Sequence, residues 1–197
     1  PDEMKSAQKV YAYNFSSSVL INKGNGKFEI NSLPVQAQFA PVYGVITNDF
    51  DNDGNMDALL TGNFYGAEVN LARNDAFDGL FLKGDGKGAF TPVSHLQSGF
   101  MADKNSKGAA AVFINAQQKY KYIICNNNDK AQICQTNSDN NTSVFIYKAK
   151  PTDCKFTYID ASGKKHLQEL YFGSGYLSSS SRTLAIPGNA KSIEVID

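Results

Sequence analysis

The chain has 197 residues, 42% of them hydrophobic and 19% charged, with 19 Lys+Arg balancing 19 Asp+Glu. That length and balance suit one large or two small globular domains rather than a disordered chain. They argue against the basic face that nucleic acids recruit and against a polybasic membrane patch, so neither a nucleic-acid partner nor direct membrane insertion is expected.

In chain order, short runs rich in β-branched and aromatic residues alternate with Gly/Asn/Asp turns. They are "SSVLIN", "KFEI", "YGVIT", "DALLTG", "GLFLK", "AAVFIN", "KYIIC", "SVFIYK", "KFTYID" and "SIEVID". Each reads as a strand. The stretch "KKHLQELYF" comes nearest to a helical period but is short. The chain is therefore read as all-β.

Two runs repeat. "LINKGNGKF" (Leu20 to Phe28) and "LFLKGDGKGAF" (Leu80 to Phe90) share a strand, a Gly-Asn-Gly or Gly-Asp-Gly turn, and a phenylalanine opening the return strand. Their Lys23 and Lys83 lie 60 positions apart, a spacing that fits one multi-stranded propeller blade. The polar "NSDNNT" at 137–142 reads as a linker. It places a boundary near Ser138, between a first domain (1–138) and a smaller β-rich second one (139–197).

The most informative stretch is "DFDNDGNMD", residues 49–57. Side-chain oxygens of Asp49, Asp51, Asp53 and Asp57, with the main-chain carbonyl of Asn55, can converge on one hard cation, and Gly54 allows the sharp turn this needs. An oxygen-only donor set with no neighbouring His or Cys favours Ca²⁺ over zinc or copper. The loop is not an EF-hand, because Leu60 stands where that motif needs a bidentate glutamate and the flanks read as strands. With strands running directly in and out, the expected role of the ion is structural.

Together "LINKGNGKF", "DFDNDGNMDALLTGN" and "GLFLKGDGKGAFTPV" resemble the FG-GAP/VCBS repeat family, and "YFG", "SGYLSSSSRTLAI" and "SIEVID" resemble the ASPIC/UnbV segment that often follows such repeats. The resemblance implies a partial β-propeller followed by a small C-terminal β-sandwich-like domain. It also implies that Asp49, Asp51, Asp53, Asn55 and Asp57 hold a structural calcium ion. A second ion at Asp103 and Asn105 is not expected, since little of the loop pattern survives there. Two clear units and a partial third cannot close a propeller of about four to eight blades. The open blade edge then needs the rest of the propeller or a partner protein.

The N-terminus "PDEMKSAQKV" lacks the apolar core of a signal peptide. The chain is thus either cytosolic or a piece of a longer exported protein, and the repeats favour the second. By resemblance, that protein is exported to the bacterial cell surface, outer-membrane-associated or secreted. Its function is then non-catalytic binding and assembly, as an accessory to outer-membrane nutrient uptake. A glycan-binding role is the alternative. A carbohydrate-active enzyme is less favoured, because paired catalytic acids need to face each other across a cleft and these share one loop.

Elsewhere, the long polar segment from Gly62 to Gly79 offers Tyr65, Glu68, Arg73, Asp75 and Asp78 as a contact site. Arg73 pairing with an acidic neighbour to order the loop is the alternative reading. His95 and His166 sit in no metal-ligand cluster. Three cysteines are too few for a disulfide framework, though Cys125 and Cys134 would face each other if their hairpin turned symmetrically about Asp129-Lys130.

Overall fold

The computed structural model describes residues 8–68, 70–114, 117, 119–136, 144–175 and 178–197. Over these the chain is all-β, built from antiparallel sheets of two to four strands.

A hairpin of β1 (Ser18–Gly24) and β2 (Lys27–Ser32) comes first. Its turn residues Asn25 and Gly26 both take positive φ, the geometry that Asn-Gly supplies at little cost. Next is a four-stranded meander of β3 (Val42–Asn48), β4 (Asp57–Gly62), β5 (Leu80–Gly84) and β6 (Phe90–Val93), hydrogen-bonded in that order. A three-stranded sheet of β7 (Ser106–Ile114), β8 (Lys119–Asn126) and β9 (Gln132–Gln135) follows.

Strand β4 explains why "DALLTG" reads as a continuous run: it is central, and every residue in it is buried. Ala58 and Leu60 face a cluster with Ala37, Phe77 and Leu82, while Leu59 faces another with Ile46, Ala109, Tyr122 and Ile124. Leu82 and Ile124 are fully buried, each worth about 2–3 kcal/mol of hydrophobic stabilisation. Sheets meet closely at Gly44, where a Cβ would overlap Thr61 Oγ1 and lie 2.8 Å from Ala109 Cβ. The absent side chain is what lets β3 lie against β7.

The C-terminal part comprises β10 (Val144–Lys148), β11 (Lys155–Ile159), β12 (Lys165–Glu169), β13 (Thr183–Pro187) and β14 (Ser192–Ile196). They form a β10-β13 pair and a β12-β11-β14 sheet. Phe156 from β11 meets Leu184 and Ile186 from β13 in a third cluster, so the two sheets share one small core. This part is tied to the rest by backbone and hydroxyl bonds: Ser181 N donates to Ala111 O (2.6 Å), Ala111 N to Ser180 Oγ (3.0 Å) and Tyr120 OH to Thr183 O (2.7 Å). The boundary expected near Ser138 lies outside the described residues.

"KKHLQELYF", the stretch nearest to a helical period, supplies β12, an edge strand whose mostly exposed residues leave no alternation to read, within the all-β chain that the sequence suggests. The Cys125–Cys134 facing fails on register: the turn centres earlier, at Asn128 with φ 56°, so Ile124 pairs with Gln132 and Cys134 lies opposite Tyr122. All three cysteines are free thiols.

Candidate metal centre

The 49–57 loop joins β3 to β4 at one end of the meander. Its fold is dictated by aspartates that accept backbone N–H groups two to five residues on, the habit that makes Asp a turn former. Asp49 accepts from Asp53 N (3.1 Å) and Gly54 N (2.9 Å); Asp51 accepts from Asp53 N (3.2 Å), and Asp53 from Asn55 N (2.8 Å). Asn52 and Gly54, at φ 61° and 82°, supply the left-handed corners. Asp57 is completely buried, and its two oxygens accept from Phe50 N (3.0 Å) and Gly84 N (2.8 Å). It thereby ties the loop's start to the end of β5.

The loop brings one oxygen from each of Asp49, Asp51 and Asp57 within 4.8 Å of one another. Asp53 lies outside that group. Asp53 is turned toward Lys83, whose ammonium bridges Asp51 Oδ2 and Asp53 Oδ2, the latter at 3.0 Å. Asn55 Oδ1 accepts from Lys164 Nζ at 2.7 Å, and the same ammonium is held by Gly54 O. Hard carboxylate oxygens at this spacing fit a hard cation, with Asp49, Asp51 and Asp57 as its holders. Nothing in the geometry distinguishes Ca²⁺ from other such ions.

Electrostatics divide the loop in two. Burial pushes the Asp49 and Asp57 carboxyls up from the ordinary value, against the pull of their N–H donors. Lys83 instead holds Asp53 below it, and the two aspartates hold the Lys83 ammonium strongly protonated. Neutralisation of the crowded aspartates thus begins with a lysine from the next strand, which sequence reading noticed only as a repeat marker. Lys164 was missed too, since nothing local marks a contact between residues 110 positions apart.

The second group of proposed contact residues is less united. Arg73 lies 4.6 Å from the centre of the Tyr65 ring and pairs with Asp75 at 2.6 Å, so it orders its own loop. Asp78 pairs with His95 (3.1 Å), and Glu68 is exposed at a turn where its carbonyl accepts from Leu71 N. A residue the sequence did not single out holds this segment closed. Buried Asn63, at φ 80°, donates to Phe77 O (2.6 Å) and Lys104 O (3.1 Å) and accepts from Phe77 N (3.1 Å). Asp103 and Asn105 precede β7 and so do not occupy a loop between two paired strands.

The β11–β12 turn carries the other strongly perturbed acid. His166 Nε2 lies 2.8 Å from Asp160 Oδ2, and Ser162 donates to Oδ1 through both N–H (2.8 Å) and Oγ (2.6 Å), with Lys164 N at 3.0 Å. His166 first, then Ser162, hold the Asp160 carboxyl far below the usual carboxylate range. Because the folded value lies below the unfolded one, this contribution is present above about pH 4 and is lost as pH falls beneath it. The stability of the chain to urea should therefore show an acid transition, falling as pH drops below about 4, before the carboxyl itself titrates in the folded chain. Asp160→Asn should abolish that acid transition, and a transition persisting unchanged in the variant refutes the assignment.

No helix among the described residues is long and apolar enough to cross a membrane. Comparison with family models and with curated proteins finds no match for the chain.

Proposed function

We propose that this chain is a non-catalytic binding and assembly module stapled by calcium, part of an exported bacterial cell-surface protein and accessory to outer-membrane nutrient uptake. The observation that carries it is the convergence of Asp49, Asp51 and Asp57 in one strand-to-strand loop. Those acids belong to the scaffold: they accept backbone N–H groups, and Asp51 shares Lys83 with Asp53, rather than face each other across a cleft. On this reading a bound ion recruits the Asn55 carbonyl as well, and Asp53 at the expense of its pairing with Lys83.

The assembly part rests on internal repetition. By the 60-residue repeat, β1–β2 corresponds to β5–β6, yet β5–β6 is flanked by β3–β4 whereas β1 pairs with β2 alone among the described residues. Cross-strand neighbours Leu20 and Ile30 are 62% and 57% exposed on that hairpin. On this reading the free edge of β1 receives the strands that complete a propeller blade, from the rest of the propeller or from a partner protein.

The direct test is calcium titration into chelator-treated protein followed by thermal unfolding. An ion bound only by the folded state adds about 2.7 kcal/mol at a hundred times its Kd, which for a chain of this size raises Tm by about 5–10 °C. Magnesium at equal concentration should give a smaller rise, because it dehydrates reluctantly. A Tm indifferent to calcium removes the reading.

A further inference from the structure

A cavity of about 380 Å³ lies between the aspartate loop and the C-terminal sheets. Lys164 spans the two sides beside it, fixing β12 to Gly54 and Asn55. The volume falls near the lower end of small-molecule sites, about 300–1,000 Å³, which suits a compact ligand rather than a peptide or nucleic acid.

The chemistry of the wall narrows the class. Its cations are drawn to the protein's own oxygens. The Arg182 guanidinium donates to the carbonyls of Lys150 (2.9 Å) and Asp153 (2.6 Å) and lies over the Phe172 ring at 4.2 Å, while its Nε is buried with no hydrogen-bond partner among the described residues. His166 is paired to Asp160 and Lys164 to the loop. A phosphate, sulfate or carboxylate ligand would have to draw Arg182 or Lys164 away from these contacts. What the wall does leave uncommitted are neutral hydrogen-bonding groups: among the described residues the Thr47 and Tyr158 hydroxyls and the Gln168 amide have no hydrogen-bond partner, and neither has Tyr171, 58% exposed at the rim. Glu169 adds one unpaired acceptor at the exposed side.

We infer that this cleft binds an uncharged, polyhydroxylated ring, a neutral mono- or disaccharide, with the C–H face of the sugar on Tyr171 and its hydroxyls on Tyr158, Gln168 and Glu169. Hydroxyl-rich ligands need several donors and acceptors presented together, and a hydroxyl or a primary amide offers both. The inference deepens the binding-module reading and rests on it. It moves the ligand site away from Tyr65 and Arg73, which satisfy each other.

The test uses the full chain in excess calcium, with maltose, cellobiose, lactose and diacetylchitobiose as probes in saturation-transfer NMR and calorimetry. At least one should bind with a Kd on the order of 1 mM or tighter. Tyr171→Ala should weaken that binding about tenfold and Gln168→Ala by a smaller factor, whereas Arg73→Ala should leave it unchanged. Because Tyr171 and Gln168 are exposed, melting curves of both variants should match the parent. No binding by any of the sugars at about 10 mM overturns the inference, as does binding that both variants retain in full. Binding of choline or inorganic phosphate in place of sugars also overturns it. The calcium-dependent Tm is read separately, so a missing thermal shift with intact sugar binding would sink the staple and spare the cleft.

Discussion

Asp57→Ala is expected to cost about 3 kcal/mol of folding stability in metal-free buffer, a fall in Tm of about 6–12 °C. The carboxylate is completely buried and accepts two backbone N–H groups, Phe50 N from the loop and Gly84 N from the end of β5. Bonds to a charged acceptor are worth about 1.5–3 kcal/mol each. Part of that sum is offset because burial already disfavours the ionised form, as the raised carboxyl value records. A Cβ on Gly84 would overlap the Met56 carbonyl, so only glycine lets this strand end come close enough to give its N–H to Asp57. Asp57→Asn keeps the shape and one acceptor oxygen but turns an amide NH₂ toward an N–H donor, and should lose about half as much. Urea unfolding in chelator measures both. A loss below about 1 kcal/mol for alanine would mean that the loop does not hold the meander together.

How much of this was legible follows the range of each interaction. A strand such as "DALLTG" announces itself by composition, because burial on both faces selects apolar residues locally. The aspartate loop was legible for the same reason: alternating Asp around Gly54 is a local turn code, and three of its four aspartates do converge. What escaped is set at long range. Asp57 could be read as a cation ligand, but not as the acceptor for Gly84 N, 27 residues away. β12 was not among the runs read as strands, because an exposed edge strand has no buried face to impose alternation. The Cys125–Cys134 register turned on the backbone of Asn128, and an early turn moves every partner along the ladder. Asn63 and Lys164 reach across the fold, and no spacing in the sequence encodes either contact.

Lys83→Met should raise calcium affinity about three- to tenfold while lowering the Tm of the metal-free protein. In the metal-free loop the Lys83 ammonium bridges Asp51 and Asp53 and is the counter-charge that makes four close aspartates tolerable. A divalent ion must take the Asp51 oxygens from it, so the lysine both stabilises the empty loop and competes with its filling. Methionine keeps much of the aliphatic stem and removes the charge, which separates electrostatics from packing. Melting curves in chelator should therefore diverge and those in saturating calcium converge, so the calcium-induced rise in Tm is larger in the variant. Lys83→Arg, which keeps the charge, should behave like the parent. The pair is largely exposed, so the difference in affinity should shrink as salt shortens the screening length from about 10 Å at 0.1 M. Equal calorimetric affinities at low ionic strength, or a weaker one in Lys83→Met, would show that the ammonium supports the ion site rather than competing for it.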